Sequence, residues 1–171
     1  MFKLSLFALL ILVGCAQTKQ TTLQIESLDE QLSQIEKNDS TIVCLSFEKG
    51  AELSKFSNKN MFIDIYTDWC GWCKKMDAST FKNEAVVSYM NQNYIAVKLN
   101  AEQQDTLRFN NTNYTFVNSG RRGYHQLAAL LLDGQMSYPS FAILSSDGNR
   151  VKKIVGYQST EQLIPALSLK E

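Results

Sequence analysis

The 171-residue sequence has two prolines, one histidine and four cysteines, and its 17 lysines and arginines are matched by 17 acidic residues. Zero net charge removes the electrostatic footprint of a nucleic-acid binder, so no nucleic-acid partner is expected. No second CxxC and no histidine pair is available to complete a zinc site, so no metal is expected either. Long hydrophobic runs are missing. The longest, Leu4 to Val13, is ten residues interrupted only by Ser5, about half of the roughly 20 needed to span a bilayer. Its place at the extreme N-terminus excludes a multipass membrane protein. Scarce proline, with 44% hydrophobic and 11% aromatic residues, excludes a disordered chain. There are no internal repeats and no low-complexity tracts. The chain has the mass of one domain and enough apolar residues for a core.

The run from Leu4 follows a single basic residue, Lys3, and fits the hydrophobic region of a secretory signal. Leu12-Val13-Gly14-Cys15 resembles a bacterial lipobox. That resemblance implies a leader over residues 1–14 and a lipidated Cys15 that anchors the protein to a membrane. The bacterial cell envelope, facing the periplasm, is the implied location. No acidic residue closely follows Cys15, which leaves inner and outer membrane both open. An ordinary signal peptide with a fortuitous cysteine is the alternative. Beyond the membrane the compartment permits disulfides, and three thiols remain: Cys44, Cys70 and Cys73.

Residues 15–40 hold the lipidation site and a tether. The stretch 16–24 is Gln/Thr-rich, and Ser27-Leu28-Asp29-Glu30 has the form of a capping box. Leu28, Leu32 and Ile35 recur at helical spacing, so a short amphipathic helix and a partly ordered spacer both stay open. The folded domain is expected over 41–171. Thr41 to Leu45 is β-branched and apolar, a strand; Ser46 caps a helix through Phe56, with Gly50 as an awkward interior residue. Met61 to Tyr66 is an apolar strand interrupted by Asp64. A helix from Asn83 to Asn91 and a strand from Tyr94 to Leu99 follow. Thr106 to Phe109 and Tyr114 to Val117 flank Asn110 to Asn113, which suggests a hairpin. Tyr124 to Leu132 reads as helix. Phe141 to Leu144 and Val151 to Val155 form strand, turn and strand around Asp147-Gly148-Asn149. A last helix opens at Ser159 with Gln162 three residues on, and Pro165 should kink or shorten it. Alternating strands and helices closed by a hairpin and helix give an α/β protein, a three-layer α/β/α sandwich.

The chemistry centres on Cys70-Gly71-Trp72-Cys73, placed directly after a strand and at the head of a helix. Unpaired N–H groups and the helix dipole favour an anion there. The first thiol therefore ionises more readily than a free cysteine. The second cysteine lies one turn along the same face, within reach of a disulfide. This geometry performs thiol–disulfide exchange: Cys70 attacks, a mixed disulfide forms, and Cys73 resolves it. An i, i+3 bridge of purely structural purpose would restrain almost no loop entropy.

Asp64 to Cys73 (DIYTDWCGWC) resembles thioredoxin, with an acid six residues before the first cysteine and Trp69 immediately before it. Ala96-Val97-Lys98-Leu99-Asn100 is similar to the thioredoxin strand whose lysine neighbours the buried acid. Tyr138-Pro139-Ser140 resembles its cis-proline loop, and Val155-Gly156 the glycine of its last strand. The resemblance covers about Thr41 to Leu169. It is nearest to bacterial periplasmic thioredoxin-like proteins, including the C-terminal module of the transmembrane disulfide reductase. It implies a thioredoxin fold with a central mixed sheet. By it, Cys70 is an exposed nucleophile, Cys73 the buried resolving thiol, and Asp64 the acceptor, through water, of its proton. Burial should raise the pKa of Asp64 and Lys98 should oppose that shift. Trp69 and Trp72 frame an apolar rim for substrate, with core packing as the plainer reading for Trp69. A cis Pro139 shapes the groove, and the backbone of Tyr138 pairs with an extended substrate strand. Gly71 and Lys98 support the site.

Two departures qualify the resemblance. Gly71-Trp72 stands where thioredoxin has Gly-Pro and typical oxidases and isomerases carry a histidine; losing that thiolate stabiliser leans toward a reductant. The stretch 103–132 is longer than the corresponding thioredoxin segment. Its hairpin, Arg121 and Arg122 form either a partner-specific lid or a plain surface insertion. The expectation is a protein-disulfide reductase that needs no cofactor beyond the Cys70–Cys73 pair, takes protein disulfides as substrates, and is recharged by a transmembrane thiol electron donor. Alternatives are a disulfide oxidase or isomerase with the same site, or a non-catalytic peptide-binding lipoprotein. His125 reads as a surface or helix-packing residue. Cys44 reads as a buried inert thiol, with a regulatory role second. The Asn-x-Thr matches at Asn110 and Asn113 carry no weight beside a bacterial lipobox.

Overall fold

A computed structural model describes residues 6–120 and 122–168, with side chains described from residue 21 onward. The chain divides into two units, residues 1–34 and 35–171. Helix α1, Leu6–Glu36, forms the described part of the first unit and runs two residues into the second. Residues 16–24, expected as a tether, are thus helical backbone, as is the stretch that begins at Ser27. The expected leader and the lipidation site at Cys15 fall where side chains lie outside the described residues. No helix among the described residues is long and apolar enough to cross a membrane.

In the second unit a five-stranded mixed sheet runs, edge to edge, through Cys44–Leu45, Tyr94–Asn100, Asn60–Tyr66, Ser140–Leu144 and Arg150–Val155. Strand β1 (Cys44–Leu45) is followed by α2 (Phe47–Ser57), central strand β2 (Asn60–Tyr66), α3 (Gly71–Ala78) and α4 (Glu84–Asn93). Strand β3 (Tyr94–Asn100) then lies parallel to both β1 and β2. An inserted region holds short strands β4 (Leu107–Phe109), β5 (Thr112–Tyr114), β6 (Phe116–Val117) and β7 (Tyr124–His125), then α5 (Gln126–Leu131). Strands β8 (Ser140–Leu144) and β9 (Arg150–Val155) close the sheet antiparallel, and α6 (Thr160–Leu167) ends it. This is the thioredoxin fold, with the sheet as the middle of three layers. Met61, Ile63 and Ile65 of β2 pack on one face with Phe47, Val97, Leu99 and Leu127. Phe62 packs on the other with Met76, Met90, Phe141 and Leu163. Both faces of β2 are covered, which is why its sequence reads as a nearly continuous apolar run.

Local chemistry sets the element ends. The Ser46 hydroxyl accepts the Lys49 N–H at 3.4 Å, and Asn83 Oδ1 accepts the Val86 N–H at 3.2 Å, the side-chain caps that orphan helix donors require. Gln162 Oε1 accepts the Ser159 N–H at 3.0 Å, and α6 ends two residues past Pro165.

Three segments depart from expectation. The strand expected over Thr41 to Leu45 pairs only at Cys44 and Leu45, on the sheet edge. The expected single hairpin is two. Strand β4 turns into β5 through Asn110 and Asn111, both at positive φ (48° and 61°), as a tight two-residue turn requires. Strand β6 pairs instead with β7, so Tyr124 and His125 are extended and the expected helix begins only at Gln126. Gly123 permits this pairing, since a β-carbon there would overlap the Phe116 ring and the Val117 carbonyl.

Gly50 lets α2 settle on the sheet: a β-carbon there would overlap Cγ2 of Val97 on β3. Alanine would gain about 1 kcal/mol of helix propensity but overpack the contact by about 1–3 kcal/mol. Gly50→Ala should therefore lower the urea midpoint of unfolding, and the loss should vanish in a Val97→Ala background.

Candidate active site

Strand β2 delivers the chain through Thr67, Asp68 and Trp69 to Cys70, whose N–H donates to the Thr67 carbonyl at 3.1 Å. Cys70 is the N-cap of α3, and its Sγ accepts the Cys73 N–H at 3.1 Å. Cys70 and Cys73 are joined as a disulfide, with S–S 2.05 Å and Cα atoms 5.3 Å apart. The expected contrast between an exposed first cysteine and a buried second is absent in this oxidised state: the residues are 4% and 5% exposed. A helix-capping side chain is drawn in over the first turn, and the bond to Cys73 holds it there.

Asp64 lies on the same face of β2 as Phe62 and is 4% exposed. Its register partner on β3 is Lys98, whose Nζ stands 3.5 Å from Asp64 Oδ2. The same ammonium donates at 2.6 and 2.7 Å to both oxygens of Asp77 on α3. Burial pushes the pKa of Asp64 up to about 7, with Lys98 opposing and Asp77 adding to the rise. Burial alone would lower Lys98, but its bond to Asp77 and the charges of Asp64 and Asp77 outweigh that and hold it above the ordinary lysine value. Asp77 was not foreseen; its position four residues after Cys73, one turn on along the helix, was the available signal.

Cys44 is a correction. It is exposed rather than buried, and it faces a cavity of about 260 Å³ whose lining includes Phe62, Asp64, Phe81, Val97 and Lys98. Solvent touches the thiol, yet the walls desolvate it: that burial, then the charge of Asp64, pushes its pKa up to about 11 despite Lys98. Its place on the two-residue edge strand leaves that side uncovered. His125 is fully buried; its Nδ1 accepts the Leu127 N–H at 3.3 Å and its Nε2 lies 3.0 Å from the Asp105 carbonyl. It ties the start of the insertion, at Asp105, to the first turn of α5, and burial lowers its pKa.

The peptide between Tyr138 and Pro139 is cis. The Pro139 carbonyl accepts the Gly156 N–H at 2.8 Å, tying this turn to the end of β9. Trp69 and Trp72 are 52% and 56% exposed, so core packing is not the role of Trp69. The Tyr138 ring meets Trp69 edge-on at 5.9 Å, and Tyr157 lies 5.3 Å from Trp72. Trp69 is also held from the insertion side, which the sequence did not disclose. Its indole N–H donates to Glu102 at 3.0 Å, and the Arg122 guanidinium sits 4.3 Å from the ring centroid. Arg121 lies outside the described residues.

The thioredoxin-like domain family matches residues 47–170. Thiol-disulfide oxidoreductase ResA of Bacillus thuringiensis subsp. konkukian is 24% identical over 165 residues, covering 91% of this chain and 89% of that protein. An uncharacterised protein of Archaeoglobus fulgidus is 31% identical over 75 residues, 44% of this chain and 59% of its own length. A longer Caenorhabditis elegans relative is matched over 11% of its length, so the chain spans less than two thirds of these latter two proteins. The solution structure of a candidate disulphide isomerase from Bacteroides thetaiotaomicron superposes with a TM-score of 0.52 at 24% identity, covering 74% of this chain and 91% of that one. This last likeness is one of fold.

The Asp64 shift fixes a pH dependence. A buried carboxyl whose pKa is about 7 when folded, and ordinary when unfolded, binds more protons in the folded state between about pH 4 and 7. Stability therefore falls as pH rises through that window. Asp64→Asn should stabilise the oxidised protein by about 2–4 kcal/mol at pH 8, leave it little changed near pH 4, and flatten the curve between. Urea unfolding across pH measures this.

Proposed function

The chain belongs to the thioredoxin-like domain family, and on that premise we propose that it is a thiol–disulfide oxidoreductase that reduces protein disulfides through Cys70 and Cys73. The observation that carries this reading is the Cys73 N–H aimed at Cys70 Sγ from the first turn of α3. A donor in that place holds negative charge on the sulfur once the disulfide is opened.

In the reduced protein the Cys70 thiolate attacks one sulfur of a substrate disulfide. The substrate S–S bond breaks, its second sulfur leaves as a thiolate that takes up a proton, and Cys70 is held in a mixed disulfide. Cys73 then gives its proton, through water, to Asp64 and attacks Cys70 Sγ. The Cys70–Cys73 bond forms and the second substrate thiol is released; two electrons have passed from the dithiol to the substrate. Asp64 suits the accepting role because a pKa of about 7 lets it take and return a proton near neutrality. Lys98 and Asp77 are positioning residues that tie the acid to α3. Trp69, Trp72, Tyr138 and Pro139 form the rim against which an extended substrate segment lies, and the pair needs no cofactor beyond itself.

The reducing direction rests on the central dipeptide Gly71-Trp72, which has no histidine to favour the thiolate further. The lipobox-like Leu12-Val13-Gly14-Cys15 supports a lipid-anchored protein facing the periplasm of the bacterial envelope, recharged by a membrane thiol relay.

Reduction of insulin disulfides in the presence of dithiothreitol tests the reading. The protein should accelerate insulin precipitation and Cys70→Ser should abolish the acceleration; equal rates for the two would refute it. A Cys70–Cys73 potential near about −270 mV marks a reductant, and one near about −120 mV an oxidant.

A further inference from the structure

The disulfide is flanked by two exposed tryptophans, and each carries a cation on its ring. Arg122, from the loop between β6 and β7, sits 4.3 Å from the centroid of Trp69. Lys75, on α3, sits 4.8 Å from the centroid of Trp72 and 5.4 Å from that of Tyr157. Lys75 has no carboxylate within 4.0 Å among the described residues, and Arg122 meets one only at that distance. The nearest acid to Arg122, Glu102, stands at 4.0 Å, beyond hydrogen-bond range, and its oxygens already accept the Trp69 indole N–H at 3.0 and 3.1 Å. Lys75 and its exposed neighbour Lys74 have no ion pair within 4.0 Å among the described residues, and neither has Asp68, the exposed acid in the turn before Trp69.

A cation held against a ring face is positioned without using up its N–H donors, whereas one held by a carboxylate has spent them. Two such cations, one on the tryptophan just before the redox pair and one on the tryptophan within it, offer ready partners to carboxylates on either side of a cysteine. Beside Arg122 a cavity of about 270 Å³, lined by Trp69, Glu102, Gln104, Phe116, Arg122 and Gly123, has room for a side chain.

Resting on the oxidoreductase reading, we propose that the rim selects extended polypeptide segments whose target cysteine is flanked by acidic residues, with Arg122 receiving the carboxylate on one side and Lys75 that on the other. The insertion between β3 and β8 thereby contributes specificity, supplying one of the two cations. Glu102 holds the Trp69 platform and, with Asp68, repels a substrate that is acidic throughout, so the preference is for acids on the flanks.

The test uses the full chain, reduced beforehand, and three disulfide-linked peptide dimers that differ only in carrying Glu, Gln or Lys on both sides of the cysteine. Each single-turnover rate is divided by that of dithiothreitol on the same peptide, which removes intrinsic reactivity. The expected order is Glu, Gln, Lys. Glu should exceed Lys by about tenfold at low ionic strength, the lower end of what charge steering delivers. That ratio should shrink with added salt and fall toward one in Arg122→Gln with Lys75→Gln. The single Arg122→Gln variant and the salt series read the same interaction should the double variant not fold. Equal normalised rates for the Glu and Lys peptides, or a ratio untouched by the substitutions and by salt, would overturn the charge preference alone. Failure to reduce any of the three would instead sink the oxidoreductase reading beneath it.

Discussion

One hydrogen bond organises this protein: the Cys73 N–H, at the head of α3, on the Sγ of Cys70. It requires α3 to begin where it does, and that is fixed by β2, which ends at Tyr66 and leaves three residues to reach the cap. Strand β2 is in turn held on both sides, parallel to β3 and antiparallel to β8, and covered on both faces by core. A sulfur in that position substitutes for the Ser, Asp or Asn that usually caps a helix. Unlike those side chains it also exchanges bonds. The fold's contribution is to hold one sulfur against an N–H donor with a second sulfur one turn away.

The second constraint is electrostatic. Asp64 would be unaffordable as a permanent buried anion, and its environment does not make it one. Desolvation raises its pKa to about 7 while Lys98, shared with Asp77, stops the rise there. An ammonium bridging a strand acid and a helix acid links Asp64, the proposed proton acceptor, to the helix that carries the thiols. The cost is stability lost as the acid ionises, an outlay expected at functional sites.

Much of this was legible in the sequence because it is local. The apolar run at Met61 to Tyr66, the CxxC after it and the cap at Ser46 each act over a few residues, and local sequence pattern reports such features. Tyr138-Pro139 and Lys98 were legible only through resemblance to thioredoxin, since nothing in their neighbourhood announces a cis bond or a buried partner. Contacts made from the insertion side were hidden: Arg122 on Trp69 and Glu102 on the indole N–H join residues 53 and 33 positions apart along the chain, respectively. The hairpins were misread because Asn110 and Asn111 both accept positive φ, which shortens the loop and moves the following strand to a different partner. Cys44 was misplaced for a related reason. TIVCL has the composition of a buried strand, but only its last two residues pair, at the sheet edge, and the thiol faces a cavity.

The proposed chemistry depends on Cys70 being ionised by its place at the helix start. Following thiolate absorbance of the reduced protein against pH, with Cys15→Ala and Cys44→Ala present so that only Cys70 and Cys73 contribute, measures this directly. Cys70 should ionise well below the range of a free cysteine, and Cys73→Ser should preserve that low transition. Ionisation of Cys70 in the free-thiol range would contradict the assigned chemistry.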